Sequence, residues 1–521
     1  MNAKFIGFFA GLAAFVALHV LPVFPPFLDA ARDALAQSGL LSPSAETLAR
    51  STQSVLALLL LMVSWWITDA VPLPATALLP LVALPWFHTV GWQDGGIVQF
   101  DLRSVAHHYA NPVIFLFMGG FLLAGAMQKW KLDRRLTLWF LTRGSIANDA
   151  RTMLLGIMVI TAFLSMWVSN TATAAMMLPL GLGILTLLHA HPGSSRFGTA
   201  LMLGIAWAAS IGGAGTIIGT PPNGIALGIL NATFGDDPAY RAINFLEWMT
   251  FGVPFVLVSI PLAWWILLKM NPPEFTVIPG GKERMVAEQA SLGPPSKGEL
   301  RTAAVFVFVV LLWITNPFWP DLLPSMLAQA LGWIDEYAIG IAAGFVLFIV
   351  PVDLRSWTFV LDWRDSRSVE WGTLLLFGGG IALSDAMFRT GLAGLLASSF
   401  VGIFGSPGTL GLLILVVILV DFLTEITSNT AVTSMMIPVI ISVAMTSGAD
   451  PVTLSVGAAL ASSMAFMLPV ATPPNALVYG TGYVSIVSMM RSGILLDIAG
   501  WVVTVAILVL VADKAFGILS F

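Results

Sequence analysis

Two tripeptides, Ser169-Asn170-Thr171 and Ser428-Asn429-Thr430, set hydroxyl and amide oxygens side by side in the middle of long apolar stretches. Such side chains cap helix starts, because their oxygens accept the amide hydrogens that a first helical turn leaves unpaired. A tetrapeptide, Thr220-Pro221-Pro222-Asn223, recurs as Thr472-Pro473-Pro474-Asn475. Thr is again a good cap, and Pro at the first helical position gives up no amide that was needed. Each motif therefore marks a helix that begins inside an apolar segment, with orphan carbonyls before it and orphan amides after it. Carbonyls and hydroxyls suit hard cations, whereas helix-start amides suit anions. None of the four motifs contains Lys or Arg, so an anion held there would need amides, hydroxyls and bound cations. Cation coupling is thus physically reasonable.

The motifs are positioned by a chain whose composition belongs to a bilayer. Of 521 residues, 57% are hydrophobic and 10% charged, less than half the charged share of a soluble domain. Apolar segments near 5–25, 53–70, 72–87, 112–128, 200–229, 250–270, 301–316, 337–352, 371–388, 452–483 and 491–513 give eleven candidate spans. Two further stretches, 152–188 and 408–445, are broken by the Ser-Asn-Thr clusters and read as re-entrant helical hairpins. Irregular backbone at membrane depth is tolerated only where protein buries it or water reaches it, so the breaks are where a site belongs. Gly212, Gly213, Gly215 and Gly219 allow unwinding before the first Thr-Pro-Pro-Asn, with Ala471 in place of Gly219 in the second copy. Discontinuous helices are expected at about 198–240 and 452–483.

The halves are related. Residues 169–180 match 428–439 at 7 of 12 positions, 117–127 match 377–387 at 6 of 11, and the Thr-Pro-Pro-Asn copies follow in the same order. All but six of the 23 Lys and Arg residues fall inside if the N-terminus is cytoplasmic, the outside six being Arg32, Arg50, Arg103, Arg241, Arg389 and Lys514. The copies then enter from opposite faces as an inverted-topology repeat, the arrangement secondary transporters use. Residues 1–270 form the first repeat, 271–300 a polar, Pro-containing cytoplasmic linker, and 301–521 the second repeat. The apolar run 5–24 is too long for a signal peptide and reads as a retained first helix.

Other chemistry is excluded or weak. No Cys is present, which removes disulfides and thiolate sites, and the six His residues form no metal-ligand pattern. A net charge of -5 without a basic stripe argues against nucleic acid. An intramembrane hydrolase would need a base beside Ser169 or Ser428, and neither motif has a His. Asp421 and Glu425, four apart in the second hairpin, read either as a proton relay or as groups that orient the tip, with Asp385 similar.

The paired Ser-Asn-Thr and Thr-Pro-Pro motifs, in order and in both halves, closely resemble the divalent anion/sodium symporter family. The resemblance covers essentially the whole chain. It implies an all-α polytopic inner-membrane protein of eleven spans and two hairpins, a homodimer in the bilayer, and elevator-type movement. It further implies one sodium site from Ser165, Ser169, Asn170 and the Gly219 carbonyl, and a symmetry mate from Thr424, Ser428, Asn429 and the Ala471 carbonyl. Substrate carboxylates would meet Asn170, Thr171, Asn429 and Thr430, with Thr220, Thr472 and Pro473 lining the same pocket. The implied activity is sodium-coupled symport of C4-dicarboxylates, with a sodium-independent exchanger and a sulfate or citrate carrier as alternatives.

Overall fold

The computed structural model describes residues 3–36, 42–93, 95–144, 146–405 and 407–512. Lys514 and the end of the segment expected at 491–513 lie outside them. The described chain is a helical membrane protein. Ten helices are long and apolar enough to cross a bilayer, or eleven if Ser325–Leu331 and Glu336–Ile349, bent by 73°, count as one span. Three of the ten are hairpin arms, so apolar length alone does not separate a crossing from a re-entrant arm.

The hairpins form where the tripeptides fall. The first consists of Ala150–Ser165 and Asn170–Leu187, and the second of Gly408–Ile426 and Asn429–Ser447. Each inner arm carries one proline at the equivalent position, Pro179 or Pro438, where an intrahelical hydrogen bond is lost. The broken helices form as expected: Arg196–Gly213 restarts at Pro221–Phe234 after a short 3-10 turn, and Pro451–Ala461 restarts at Pro473–Tyr479.

The repeats meet through their own symmetry mates. Phe117 and Phe377 occupy the same place in the two Gly-Gly motifs, and their rings touch at a centroid distance of 4.7 Å. Gly224 of the first broken helix lies against both rings, where a Cβ would collide with them. The Gly-Gly helices Pro112–Lys129 and Trp371–Arg389 are each followed by a short helix, Leu132–Leu141 and Leu392–Phe404, which the apolar pattern does not reveal. Both are entered through a left-handed residue at equivalent positions, Lys131 (φ 59°) and Gly391 (φ 79°).

Within 271–300 the chain is not all coil: Gly281–Ser291 is helical and docks on the first of these short helices. Arg134 pairs with Glu288 at 2.6 Å, and Lys282 Nζ donates to the Gly144 carbonyl at 3.1 Å. Two short antiparallel hairpins, Val90–Gln93 with Gly96–Gln99 and Pro351–Asp353 with Thr358–Phe359, also escape the apolar pattern.

Close helix crossing depends on small residues, as it does between membrane helices generally. A Cβ at Gly119 would overlap the Gly340 carbonyl on Glu336–Ile349, whereas Gly394 has open space. Gly119→Leu should therefore destabilise the protein by about 2 kcal/mol or more in thermal unfolding in detergent, by overpacking. Gly394→Ala should be neutral or slightly stabilising in the same assay.

Candidate functional site

The first arm of each hairpin carries, in its last turn, a hydroxyl that faces more acceptors than it can serve. Ser165 Oγ lies 2.8 Å from Asn170 Oδ1 and 2.7 Å from the Ala209 carbonyl. Its mate, Thr424 Oγ1, lies 2.5 Å from Asn429 Oδ1 and 3.1 Å from the Ser462 carbonyl. A hydroxyl has one proton, so each cluster retains surplus oxygen lone pairs, the chemistry that a hard cation satisfies. The surplus is built into both repeats. Gly213 packs directly against the Asn170 amide and Gly219 against the Gly213 carbonyl, each where a Cβ would collide. The Gly213 backbone thus lies in contact with the Asn170 side chain on one side and with Gly219 on the other.

The last residue of each Thr-Pro-Pro-Asn motif holds that unwound backbone in place. Asn223 Nδ2 donates to the Gly213 and Thr216 carbonyls at 3.1 and 2.8 Å. Asn475 Nδ2 donates to the Ala465 and Leu468 carbonyls at 3.0 Å each. The four acceptors are equivalent by the 252-residue offset of the tetrapeptides. Reasoning from sequence assigned these asparagines no role, although their repetition at a fixed place after the prolines was the available signal.

The capping chemistry is only half as expected. Ser169 accepts from the Ala172 amide at a long 3.5 Å, and Thr472 accepts from the Asn475 amide at 3.3 Å. Ser428 and Thr220 make no such bond to their own helices. The expected cap at these two positions is corrected: the local pattern permits one, but the side chains make no bond to the amides, and both residues line the cavity.

A cavity of about 740 Å³ joins the motifs. Ser169, Asn170, Thr171, Thr220, Ser428, Asn429, Thr430, Ala471, Thr472 and Pro473 all line it. Ser165, Gly219 and Thr424 do not, and are buried behind the wall. Both tripeptides, 259 residues apart in the chain, therefore share one chamber. The helices starting at Asn170 and Asn429 present their amide ends there, which favours negative charge. Among the described residues no Lys or Arg lines it; its charged members are Asp69 and Glu370, which the motifs did not point to. Asp69 is paired with Lys4 near the chain's start.

The isolated acids resolve differently. Asp385 stands away from the cavity, bound to Arg389 at 2.7 Å and to His108 Nε2 at 3.1 Å. Glu425 accepts the Met467 and Leu468 amides at 2.7 and 3.0 Å, so it orients the loop between the halves of the second broken helix.

Residues 34–515 match the sodium:sulfate symporter transmembrane region. The chain belongs to this family. It is 38% identical over 477 residues to a protein of Staphylococcus saprophyticus named sodium-dependent dicarboxylate transporter SdcS, covering 89% of this chain and 87% of that one. The Staphylococcus aureus protein of the same name is 35% identical over 478 residues, covering 89% and 86%. Among solved structures, the chain resembles the YdaH transporter of Alcanivorax borkumensis (TM-score 0.53, 16% identity, 88% of this chain and 98% of that one). It also resembles MtrF of Neisseria gonorrhoeae (TM-score 0.53, 14% identity, 85% and 95%). At such identity these two speak for the fold alone. The family member is a transporter and not an enzyme.

Asn223→Ala and Asn475→Ala should each cost about 2 kcal/mol of stability, because two buried carbonyls lose their donor. Thermal unfolding in detergent measures this, and an unchanged midpoint in either variant would show that the unwound turn needs no clamp.

Proposed function

We propose that the protein is a secondary active symporter that couples uptake of C4-dicarboxylates such as succinate, malate and fumarate to an inward sodium gradient. The observation that carries this reading is the pair of oxygen-surplus clusters behind a cavity without cationic side chains. A dianion entering that cavity finds helix-start amides and hydroxyls, and its charge is compensated only if cations occupy the clusters behind the wall. The relatives named sodium-dependent dicarboxylate transporters support both ligands. In this reading Ser165, Ser169, Asn170 and the Gly219 carbonyl hold one sodium ion, and Thr424, Ser428, Asn429 and the Ala471 carbonyl the other. Asn170, Thr171, Asn429 and Thr430 receive the carboxylates, with Thr220, Thr472 and Pro473 beside them.

The protein works as a homodimer in the inner membrane with its N-terminus cytoplasmic. Residues 1–270 and 301–521 are the two inverted repeats, and 271–300 the cytoplasmic linker. Hairpins and broken helices move together as an elevator, a unit consistent with the bonds from Ser165 to Ala209 and from Thr424 to Ser462. Because the cavity reaches Asp69 and its Lys4 partner, this conformation then opens to the cytoplasm.

Labelled succinate uptake into proteoliposomes tests the proposal. Accumulation in empty liposomes under a sodium gradient, absent with potassium, is the expected result; uptake only into succinate-preloaded liposomes, indifferent to sodium, would establish an exchanger instead. Asn170→Ala and Asn429→Ala should abolish uptake while the protein still inserts, since each removes an oxygen shared by cation and substrate. Thr171→Ala should weaken apparent succinate affinity more than apparent sodium affinity, and the reverse order in paired titrations would exchange the two roles.

A further inference from the structure

Each oxygen-surplus cluster meets the Thr-Pro-Pro-Asn motif of its own repeat through one stretch of backbone, residues 213–219 in the first repeat and 465–471 in the second. The asparagines that close the motifs, Asn223 and Asn475, are both 0% exposed, and neither lines the cavity. Each gives its amide nitrogen to two loop carbonyls and leaves Oδ1 buried without a hydrogen-bond partner among the described residues. A buried amide oxygen without a partner costs free energy. The same cost appears at the same place in both repeats, so what recurs is the placement of the nitrogen.

The carbonyls held by these nitrogens lead directly to the cation sets. The Thr216 carbonyl, bound to Asn223 Nδ2 at 2.8 Å, also accepts the Gly219 amide at 3.3 Å. Its mate, the Leu468 carbonyl, bound to Asn475 Nδ2 at 3.0 Å, also accepts the Ala471 amide at 3.3 Å. Gly219 and Ala471 are the residues whose own carbonyls complete the two cation sets of the proposed function. In the first repeat the other acceptor of Asn223, the Gly213 carbonyl, lies against Gly219, and a Cβ on Gly213 would collide with the Asn170 amide. Two hydrogen bonds from one asparagine therefore fix both the turn that presents Gly219 and the backbone on which the Asn170 side chain rests.

The loop is also tied to its hairpin at equivalent positions, with the chemistry reversed. Thr216 Oγ1 donates to the Met166 carbonyl in the first repeat, whereas in the second the Leu468 amide donates to the Glu425 carboxylate at 3.0 Å. Met166 and Glu425 directly follow the cluster hydroxyls of Ser165 and Thr424. The ties differ between the repeats, while the asparagine clamp is the same in both.

We infer that Asn223 and Asn475 are positioning residues that set the sodium affinity of the cation set in their own repeat while standing outside both sets. The inference rests on the sodium-coupled reading and names what holds its sites in shape. Oxygen ligands bind a hard cation in proportion to how well they are held at its coordination distance, and loss of a group that orients ligands typically lowers metal affinity about 10- to 100-fold.

Thermal unfolding of the purified full-length protein in detergent, with sodium chloride replacing choline chloride at constant ionic strength and no substrate present, tests this. An ion that binds only the folded state raises the midpoint. Measured from its own midpoint in choline, Asn223→Ala or Asn475→Ala should need at least about tenfold more sodium than the wild type for half of the rise. Asn223→Leu and Asn475→Leu keep the shape of the side chain without its donor; they should match the alanine variants, and they carry the comparison if an alanine variant does not fold. A double-mutant cycle separates an effect on one cluster from general loosening. On the Asn170→Ala background, which leaves only the second cluster to bind, Asn223→Ala should change the sodium dependence no further, whereas Asn475→Ala should. In proteoliposomes the clamp variants should raise the sodium concentration for half-maximal uptake and leave apparent succinate affinity at saturating sodium at the wild-type value. A wild-type sodium dependence in a well-folded variant overturns the inference, as does an equal effect of Asn223→Ala and Asn475→Ala on the Asn170→Ala background. A wild type whose midpoint ignores sodium defeats the symport reading itself, and the inference with it.

Discussion

The structure turns on one constraint: inside a bilayer every peptide N–H and C=O needs a partner, and here two helices are broken within the buried core. The breaks survive because buried asparagine amides span them, Asn223 to Gly213 and Thr216, Asn475 to Ala465 and Leu468. In the second repeat Glu425 reinforces the same loop from the carboxylate side, taking two amides that the break would otherwise leave bare. Partial satisfaction is what makes the region useful. Donors are provided to some of the carbonyls and no more, so the oxygens of Ser165, Asn170, Thr424 and Asn429 remain in excess over protons.

That excess sets the charge logic of the cavity. An apolar protein with no lining Lys or Arg can attract an anion only by dipoles and by ions it borrows, and the amide ends of two helices converge on the chamber while the oxygen clusters stand immediately behind it. In the proposed function the two ligands therefore depend on each other electrostatically. Such dependence is a physical basis for coupling, since either charge alone in this medium is expensive.

The repeat is symmetric in its backbone and less so in its chemistry. Phe117 and Phe377 meet as mates, Pro179 and Pro438 interrupt equivalent arms, and the left-handed residues Lys131 and Gly391 begin equivalent short helices. Against this, Ser165 faces Thr424 across the repeat, Gly219 faces Ala471, and the acids Asp421 and Glu425 replace Ala162 and Met166. Differences of this kind sit beside the site and give the two halves different electrostatics within one architecture.

The sequence by itself determined the membrane class, the two hairpins, the broken helices and the repeat, because apolar length, mid-segment polar clusters and prolines are local signals that bilayer physics reads directly. It also marked the residues of the cavity wall, since paired motifs need no contact map to be seen. What it left open was anything that depends on which atoms meet across the fold. Whether Ser428 caps its helix is decided by the packing of the tip; the local pattern allows a cap that the structure does not make. Asn223 and Asn475 became clamps only once the carbonyls they bind were brought beneath them, and Asp69 and Glu370 reached the cavity from distant segments. The short helices Leu132–Leu141 and Gly281–Ser291 were hidden because their stability comes from docking on each other and on the core, through pairs such as Arg134 with Glu288. Asp497, a single acid in an apolar run, carried no pattern at all, and tertiary structure alone shows it fully buried.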